Sequence, residues 1–344
     1  MGYNSPDMHV QVVETVRHRR PSRRILVIGL VAFVIVLAGS LLAYARYFGP
    51  ADEYAAMSEF LVTPDQEFAV IAHDLKVAGY IRSITAFRVA FALTGNIRGV
   101  REGGYRISPS MDAWSIASAL AHPPYLAWVT FKPGLRKEEI ATILAKKLEW
   151  TPEEKETWLT VDTVPNASQA EGVYPGGTYL IPSDRTPAEV AVQLRARFQE
   201  EFAPYAELVI EKNITWTEAI TMASLIEREA AKSDKALIAG ILWNRINDGM
   251  RLQVDATLQY IRGEEGNWWP VPNVEDKKID SPYNTYKYAG LPPHPIANPS
   301  IESIEAALNP EKTKCIYYLH DTDGVIHCSP TYAGQVANVN KYLK

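Results

Sequence analysis

The sequence predicts an α+β protein in three parts: a single N-terminal transmembrane helix, a module of strand–helix units, and an α+β C-terminal domain. Three observations predict it. Ile25 to Ala45 is one uncharged run. Between residues 55 and 150 a short β-like segment ending in proline repeatedly precedes a helical pattern. In the C-terminal third, polar residues interrupt an otherwise apolar stretch.

Composition sets the bounds. The chain has 344 residues, 47% hydrophobic and 22% charged, enough for two modest domains with ordinary cores. A net charge of −5 and a pI near 5.9 argue against a nucleic-acid partner, which calls for a basic face.

Residues 1–24 are polar without a period and read as a disordered cytoplasmic tail. The run at 25–45 is about 21 residues, sufficient at ~1.5 Å per residue to cross a hydrocarbon core. Arg17, Arg19, Arg20, Arg23 and Arg24 precede it, which keeps the N-terminus cytoplasmic and places the rest outside the inner membrane. A cleaved signal peptide is the competing reading. Its apolar region is normally shorter, and Ala43-Tyr44-Ala45 is a weak small-x-small site.

In the module at 55–150, Pro64 is followed by Ile71-Ala72, Pro109 by Ile116-Ala117 and Pro133 by Ile140-Ala141, with Leu75, Leu120 and Leu144 beyond. A looser copy runs from Tyr179-Leu180-Ile181-Pro182 to Val190-Ala191 and Leu194. Each copy is a strand, a turn and an amphipathic helix, too small to bury its own face, so the copies pack together. The shape is that of a LysM-like glycan-binding module, with generic α+β packing as the alternative.

The C-terminal domain is placed at 151–344. Thr151 to Ser168 is polar, with a Pro165-Asn166 turn signal, and reads as a connection. Asn166-Ala167-Ser168 matches a glycosylation acceptor, a frequent chance pattern. A helix capped by Thr217 runs to Ala230, and a second spans about Lys235 to Asn247 with Gly249 as its stop. A long loop carries Trp268-Trp269-Pro270 and Tyr283-Asn284-Thr285-Tyr286. A helix over Ile301–Leu308 and a hairpin around Asp321-Thr322-Asp323-Gly324 close the domain. Cys315 and Cys328 flank that hairpin, as a disulfide or as two buried thiols.

The first helix carries the candidate chemistry. Glu227 and Glu229 project to different sides. Met222, Leu225 and Ile226 lie on the flank of Glu229, and desolvation by such neighbours keeps a carboxyl protonated, as a general acid requires. Glu229 is therefore the first candidate and Glu227 the second. The bland alternative is that both are solvated helix-edge acids. Other chemistries find little support. His294, His320 and His327 lack metal-ligand spacing, Ser224 lacks a nucleophile elbow, and Gly99 to Gly104 is no phosphate loop. Neither a metal nor a cofactor is called for.

The segments Ala223-Ser224-Leu225-Ile226-Glu227-Arg228-Glu229-Ala230, Asn244-Arg245, Met250-Arg251-Leu252-Gln253-Val254-Asp255, Tyr283-Asn284-Thr285-Tyr286 and Gly290-Leu291-Pro292-Pro293 resemble the endolytic murein transglycosylase (YceG-like) family in order and spacing. So does an N-terminal anchor followed by a LysM-like region. Two positions depart from the family pattern. Gly176-Gly177 stand where the family has Pro-Asp, and Lys132-Pro133-Gly134 stand where it often has Glu-Gly.

The resemblance implies cleavage within peptidoglycan glycan strands between N-acetylmuramic acid and N-acetylglucosamine. Glu229 would act as acid and then base, leaving a 1,6-anhydro end, while Gln253, Asp255, Tyr283, Asn284 and Thr285 would position the sugar. Trp268 and Trp269 offer a stacking surface or sit buried. The partners it implies are nascent glycan strands, the membrane and neighbouring peptidoglycan synthases. Two rivals remain. One is an inactive membrane-tethered glycan-binding scaffold, opened by Gly176-Gly177. The other is a water-using glycosidase with Asp255 as second carboxylate.

Overall fold

The structure, a computed structural model, describes residues 23–164, 171–231 and 233–344. The tail to residue 22, the Pro165-Asn166 turn and the Asn166-Ala167-Ser168 acceptor lie outside them. Helices and strands are mixed throughout, and the chain divides into two compact units.

The first unit takes in the chain up to Ser58, Glu67–Gly99 and Ile107–Ala121. It holds α1 (Arg23–Tyr47), α2 (Phe68–Val77), α3 (Ile84–Leu93) and α4 (Ala113–Ala121). Helix α1 starts two residues before the expected run and outlasts it by two, because arginine and tyrosine are tolerated at helix ends. Its window Leu30–Tyr47 has a mean hydropathy of 1.9 and no buried surface. Among the described residues it is the one helix long and apolar enough to cross a membrane. Its end is tied into the unit. Ala113 N donates to Phe48 O at 2.8 Å, Phe48 stacks on Trp114 at 5.6 Å, and Arg82 Nη1 donates to Ala45 O at 3.2 Å. Phe68, Phe87 and Phe91 pack together within α2 and α3.

The second unit comprises Glu59–Gln66, Val100–Arg106 and His122–Lys344. Its sheet has the order β1 (Ser58–Val62), β2 (Gly103–Ile107), β3 (Leu126–Phe131), β4 (Gly177–Pro182). Strands β3 and β4 are antiparallel over six pairs, from Leu126↔Pro182 to Phe131↔Gly177. The repeat read from the sequence is physical: each proline-ended segment is a strand and each Ile-Ala or Val-Ala pair lies on the helix that follows. Ile71, Ala72, Leu75, Ile116, Ala117, Leu120, Ile140, Ala141, Leu144, Val190, Ala191 and Leu194 are all buried. The fourth copy's strand, β4, lies past residue 150 and pairs with β3, so the sheet runs across the expected domain boundary.

Helix α5 (Lys137–Leu148) packs on β3. The segment read as a connection folds instead as α6 (Pro152–Thr157) and a wide turn over Trp158–Asp162. Thr151 and Glu154 form a capping box, and the fully buried Trp158 anchors the turn. Helices α7 (Pro187–Phe202) and α8 (Ala206–Glu211) lead to the site helices. These are α9 (Trp216–Glu229), α10 (Lys235–Asn247), α11 (Asp255–Arg262) and α12 (Ile301–Leu308). Helix α9 packs against α10, α11 and α12. A hairpin of β5 (Tyr317–His320) and β6 (Ile326–Ser329) follows, then α13 (Tyr332–Tyr342). Cys315 and Cys328 form a disulfide across the hairpin, with Cα atoms 5.8 Å apart.

Candidate active site

Helix α9 opens on a capping box. Glu218 N donates to Thr215 Oγ1 at 3.2 Å, and Thr215 N donates to Glu218 Oε2 at 2.6 Å. The cap thus falls two residues before the expected Thr217, because only Thr215 has a glutamate three positions on. Every residue from Ala219 to Ile226 is buried, so beyond the capped first turn polar side chains emerge only in the last turn.

Glu229 is the final residue of α9, and the chain leaves the helix in extended form at Ala230. The carboxyl is partly buried. Tyr318 Oη donates to its Oε2 at 2.8 Å, and Ala256 N, in the first turn of α11, approaches Oε1 at 3.5 Å. Burial pushes the carboxyl above the usual range. The Tyr318 hydroxyl and the Ala256 amide pull it back, Asp255 pushes it up, and His320 pulls it down. The negative end of the α9 dipole also favours the proton.

Glu227 behaves oppositely. Its Oε2 accepts from Ser303 Oγ at 2.5 Å, Ser300 Oγ at 2.6 Å, Ser300 N at 3.1 Å and Lys235 Nζ at 3.1 Å. Burial works to raise this carboxyl, but the two serines and the Lys235 ammonium outweigh it and hold the group below its ordinary value. The proton affinities of two acids two residues apart are thereby shifted in opposite directions. Beside Glu227 lies a cavity of about 450 Å³ lined by Pro133, Glu227, Ala230, Lys235, Ser300 and Glu302.

Asp255 is the first residue of α11, is exposed, and accepts from Tyr286 Oη at 2.6 Å. Gln253 is exposed and left-handed, with φ 52°, and its amide donates to Thr285 O at 3.1 Å. Asn284 and Thr285 differ from the expectation. Asn284 is fully buried, its Nδ2 donating to Ile279 O at 2.7 Å and Lys277 O at 3.2 Å, its Oδ1 accepting from Tyr286 N at 3.0 Å. Thr285 Oγ1 accepts from Val254 N at 3.0 Å and pairs with Thr257 Oγ1 at 3.0 Å. Their polar atoms hold the loop against α11 instead of facing a cleft. Tyr283 is also grouped elsewhere, its ring 5.0 Å from Tyr260 and its hydroxyl raised mainly by burial and by Glu171.

The tryptophans are engaged by arginines. Arg228 sits 3.7 Å from the Trp269 ring centre, and Trp269 Nε1 donates to Glu139 Oε2 at 2.9 Å. Arg136 lies between the rings of Tyr260 at 4.2 Å and Trp268 at 4.9 Å. Gly176 is required by packing, since a Cβ there would fall 2.3 Å from Pro133 N. At Gly177 a Cβ would lie 3.3 Å from the Arg197 guanidinium, which pairs with Glu201 at 2.7 Å.

Residues the sequence reading left out complete the surroundings of Glu229. Tyr318 and His320 share one face of β5, and His320 Nε2 lies 2.8 Å from Asp234 Oδ2. Tyr286 is raised by burial and by Asp255 and Glu229. Arg245 Nε donates to Ile316 O at 2.6 Å and its Nη1 donates to Leu252 O, so one buried guanidinium joins β5 to the start of α11. The Asn244-Arg245 pair was the available signal, already among the family-like segments but without an assigned role. Among the described residues no cluster of three or more His, Cys, Asp or Glu is placed to hold a metal ion.

Fold and site together define an α+β protein with a carboxyl of raised proton affinity at a helix end, bonded by Tyr318 and facing the first turn of another helix. The chain belongs to the YceG-like family, whose pattern matches residues 60–341. It is 30% identical to the endolytic murein transglycosylase of Bacillus subtilis over 298 residues, 80% of this chain and 82% of that one. It is 27% identical to the protein of that name from Streptococcus pneumoniae D39 over 360 residues, covering 91% of this chain. It spans 65% of the length of that pneumococcal relative. A crystal structure of a YceG-like protein from Listeria monocytogenes shares the fold, with a TM-score of 0.60 at 24% identity, over 82% of this chain and 98% of that one.

Proposed function

We propose that the protein is a membrane-anchored lytic transglycosylase that cleaves nascent peptidoglycan strands internally, with Glu229 as the reacting acid and base. The observation that carries this is the contrast between the two acids on α9: Glu229 sits against Tyr318 Oη and the Ala256 amide with its carboxyl raised by burial, whereas Glu227 is held low by Ser300, Ser303 and Lys235. The names of the relatives supply the substrate class.

Glu229 protonates the glycosidic oxygen that links muramic acid C1 to C4 of the following sugar, weakening its bond to C1. That bond breaks and the C4 hydroxyl departs. The muramic C6 hydroxyl then attacks C1, its proton returns to Glu229, and a 1,6-anhydro ring results. No water is consumed and no second carboxylate is required. Tyr318 occupies Oε2 as a donor, so Oε1 is the oxygen that carries the travelling proton, and the Ala256 amide steadies the carboxylate between the two transfers. Gln253 and Asp255 stand at the same end of α11 to receive the sugar. The left-handed backbone of Gln253, a conformation glycine adopts more readily, accords with a side chain kept for its contacts. Tyr283 extends the surface beside Tyr260. Asn284 and Thr285 act through the loop they hold. The strand–helix copies before residue 150 serve as the LysM-like glycan-holding part, and peptidoglycan synthases are the neighbours such an enzyme implies.

The full chain in detergent, incubated with uncrosslinked glycan strands and followed by mass spectrometry of muropeptides, tests the reading. Anhydro ends made by the wild type and by Glu227→Gln, but lost at least 100-fold in Glu229→Gln, are expected. Reducing ends would mean hydrolysis, and binding without cleavage would mean the scaffold.

A further inference from the structure

Helix α9 ends in three charged side chains that reach three different neighbours. Glu227 bonds the cap of α12, and Glu229 bonds β5 and the first turn of α11. Arg228, between them, turns to the Pro133-Gly134 segment and to Trp269. The two acids are satisfied where they stand, and Arg228 is not. Its guanidinium lies over the Trp269 ring at 3.7 Å, and its one hydrogen bond, Nη1 to Gly134 O, is long at 3.5 Å. Nε is buried without a partner, and among the described residues Arg228 forms no ion pair. Burial works against its charge, while Glu139, Glu227 and Glu229 support it. A guanidinium has five N–H donors, so a partly buried one with a single weak bond costs free energy until an acceptor arrives.

The group is held in place in advance, because Trp269 is itself fixed by donating from Nε1 to Glu139 Oε2 at 2.9 Å. There is also room beside it. Gly134 is left-handed, with φ 80°, and a Cβ built there would lie 3.8 Å from Arg228 Nη1 and 3.5 Å from Glu227 Cγ. Pro133 and Glu227 both line the cavity of about 450 Å³, so the guanidinium stands at its edge. The surroundings also choose the charge of the ligand. With three glutamates around Arg228, an anion would be repelled by the neighbours of the group meant to hold it. A neutral acceptor oxygen takes the free donors without that penalty.

We propose that Arg228 is a substrate-binding residue whose free guanidinium donors hold the acetamido carbonyl of a strand sugar beside Glu229. In the proposed reaction both sugars flanking the cleaved bond carry such a group. A planar fork one residue from the reacting acid would fix the sugar's orientation against it. The inference rests on the glycan reading, and the test lets the two fail separately.

Binding is measured with the full chain in detergent, in the Glu229→Gln background so that no strand is cut. The ligands are uncrosslinked glycan strands before and after chemical removal of their N-acetyl groups. Adding Arg228→Gln is expected to weaken binding of the N-acetylated strands about tenfold or more, at low and at high salt alike. The de-N-acetylated strands should not lose more than about threefold. Arg228→Lys keeps the charge facing the three glutamates but not the planar fork, which guards against a folding defect. It should lose about threefold or more on N-acetylated strands only. An equal loss on both kinds of strand, or no loss on either, overturns the proposal and leaves Arg228 a packing partner of Trp269. A loss that disappears at high salt overturns it as well, because the contact is then with an anion. N-acetyl-dependent binding through Arg228, in a protein whose wild type releases no anhydro ends, keeps the subsite and sinks the enzymatic reading.

Discussion

Glu227 and Glu229 show how two identical side chains acquire different jobs from their neighbours. Glu227 joins the end of α9 to the cap of α12 and to Lys235, so its charge is structural. Its folded-state pKa lies below the unfolded value, so the stabilisation is present above the ordinary carboxylate range and disappears as pH falls through the depressed value. Glu227→Gln should therefore lower the unfolding free energy by about 2 kcal/mol at pH 7, with the gap to wild type closing below about pH 4 in thermal melts. Glu171 gives the opposite slope. It is buried, accepts from Lys137 N at 3.1 Å and from Asn298 Nδ2, and is raised from 4.5 to about 8 by burial and by Glu138, against the Lys137 amide, Arg136 and Lys137. A raised carboxyl contributes stability below its unfolded pKa and loses it as pH rises through the folded one. The unfolding free energy should thus decline between pH 4.5 and 8, by at most about 1.4 kcal/mol per pH unit, and Glu171→Gln should flatten that slope, as read from denaturant melts across that range. The placement of the two α9 acids on different sides was legible from helical period alone. Tyr318 was not, because it reaches Glu229 only through a hairpin some ninety residues downstream. Asn284 and Thr285 were open in the sequence between a sugar contact and a structural turn, because a polar loop residue reads alike whether its side chain faces a ligand or its own backbone.

At the scale of elements, strongly periodic or well-capped segments were readable and weakly signalled ones were not. Helices α10 and α12 fall at Lys235–Asn247 and Ile301–Leu308, as their apolar spacing requires. Helix α11 escaped because Val254 provides no side-chain cap and the preceding Gln253 is left-handed. Helix α13 escaped because it includes Gly334 and buries no residue fully. The β5–β6 hairpin matters most, since it delivers Tyr318. Three ties fix it: the Cys315–Cys328 disulfide, Asn244 Nδ2 donating to Cys315 O at 3.0 Å, and Arg245 at Ile316 O. Closing a loop of separation 13 removes unfolded-state entropy worth about 3 kcal/mol. The double variant Cys315→Ala/Cys328→Ala should melt several degrees lower and lose activity more than Glu229 binding geometry alone would require, since β5 loosens. Unchanged kcat with a lowered melting temperature would show that Asn244 and Arg245 suffice to hold the strand.

For the whole molecule, the question is what solvates α1. Its described side chains are exposed, and a 25-residue helix at ~1.5 Å per residue exceeds the hydrocarbon thickness of a bilayer. Leaving so much apolar surface in water has no compensation among the described residues, whereas lipid removes the cost outright. By the positive-inside rule the arginines at its start would keep that end cytoplasmic and would put residues after Tyr47 across the membrane, where a disulfide is stable. Signal cleavage after Ala45 would cut the chain where Arg82 holds the Ala45 carbonyl, one turn before Phe48 stacks on Trp114. The folded end of α1 is thus built into the first unit, which favours an uncleaved anchor. Fractionated cells should yield the full-length chain in the membrane pellet, released by detergent and retained in carbonate or high salt. Protease added to spheroplasts should digest it down to the N-terminal stub. Recovery of a soluble chain beginning near Arg46 would mean that the apolar run is a leader, and the enzyme would then act on strands free of the membrane surface.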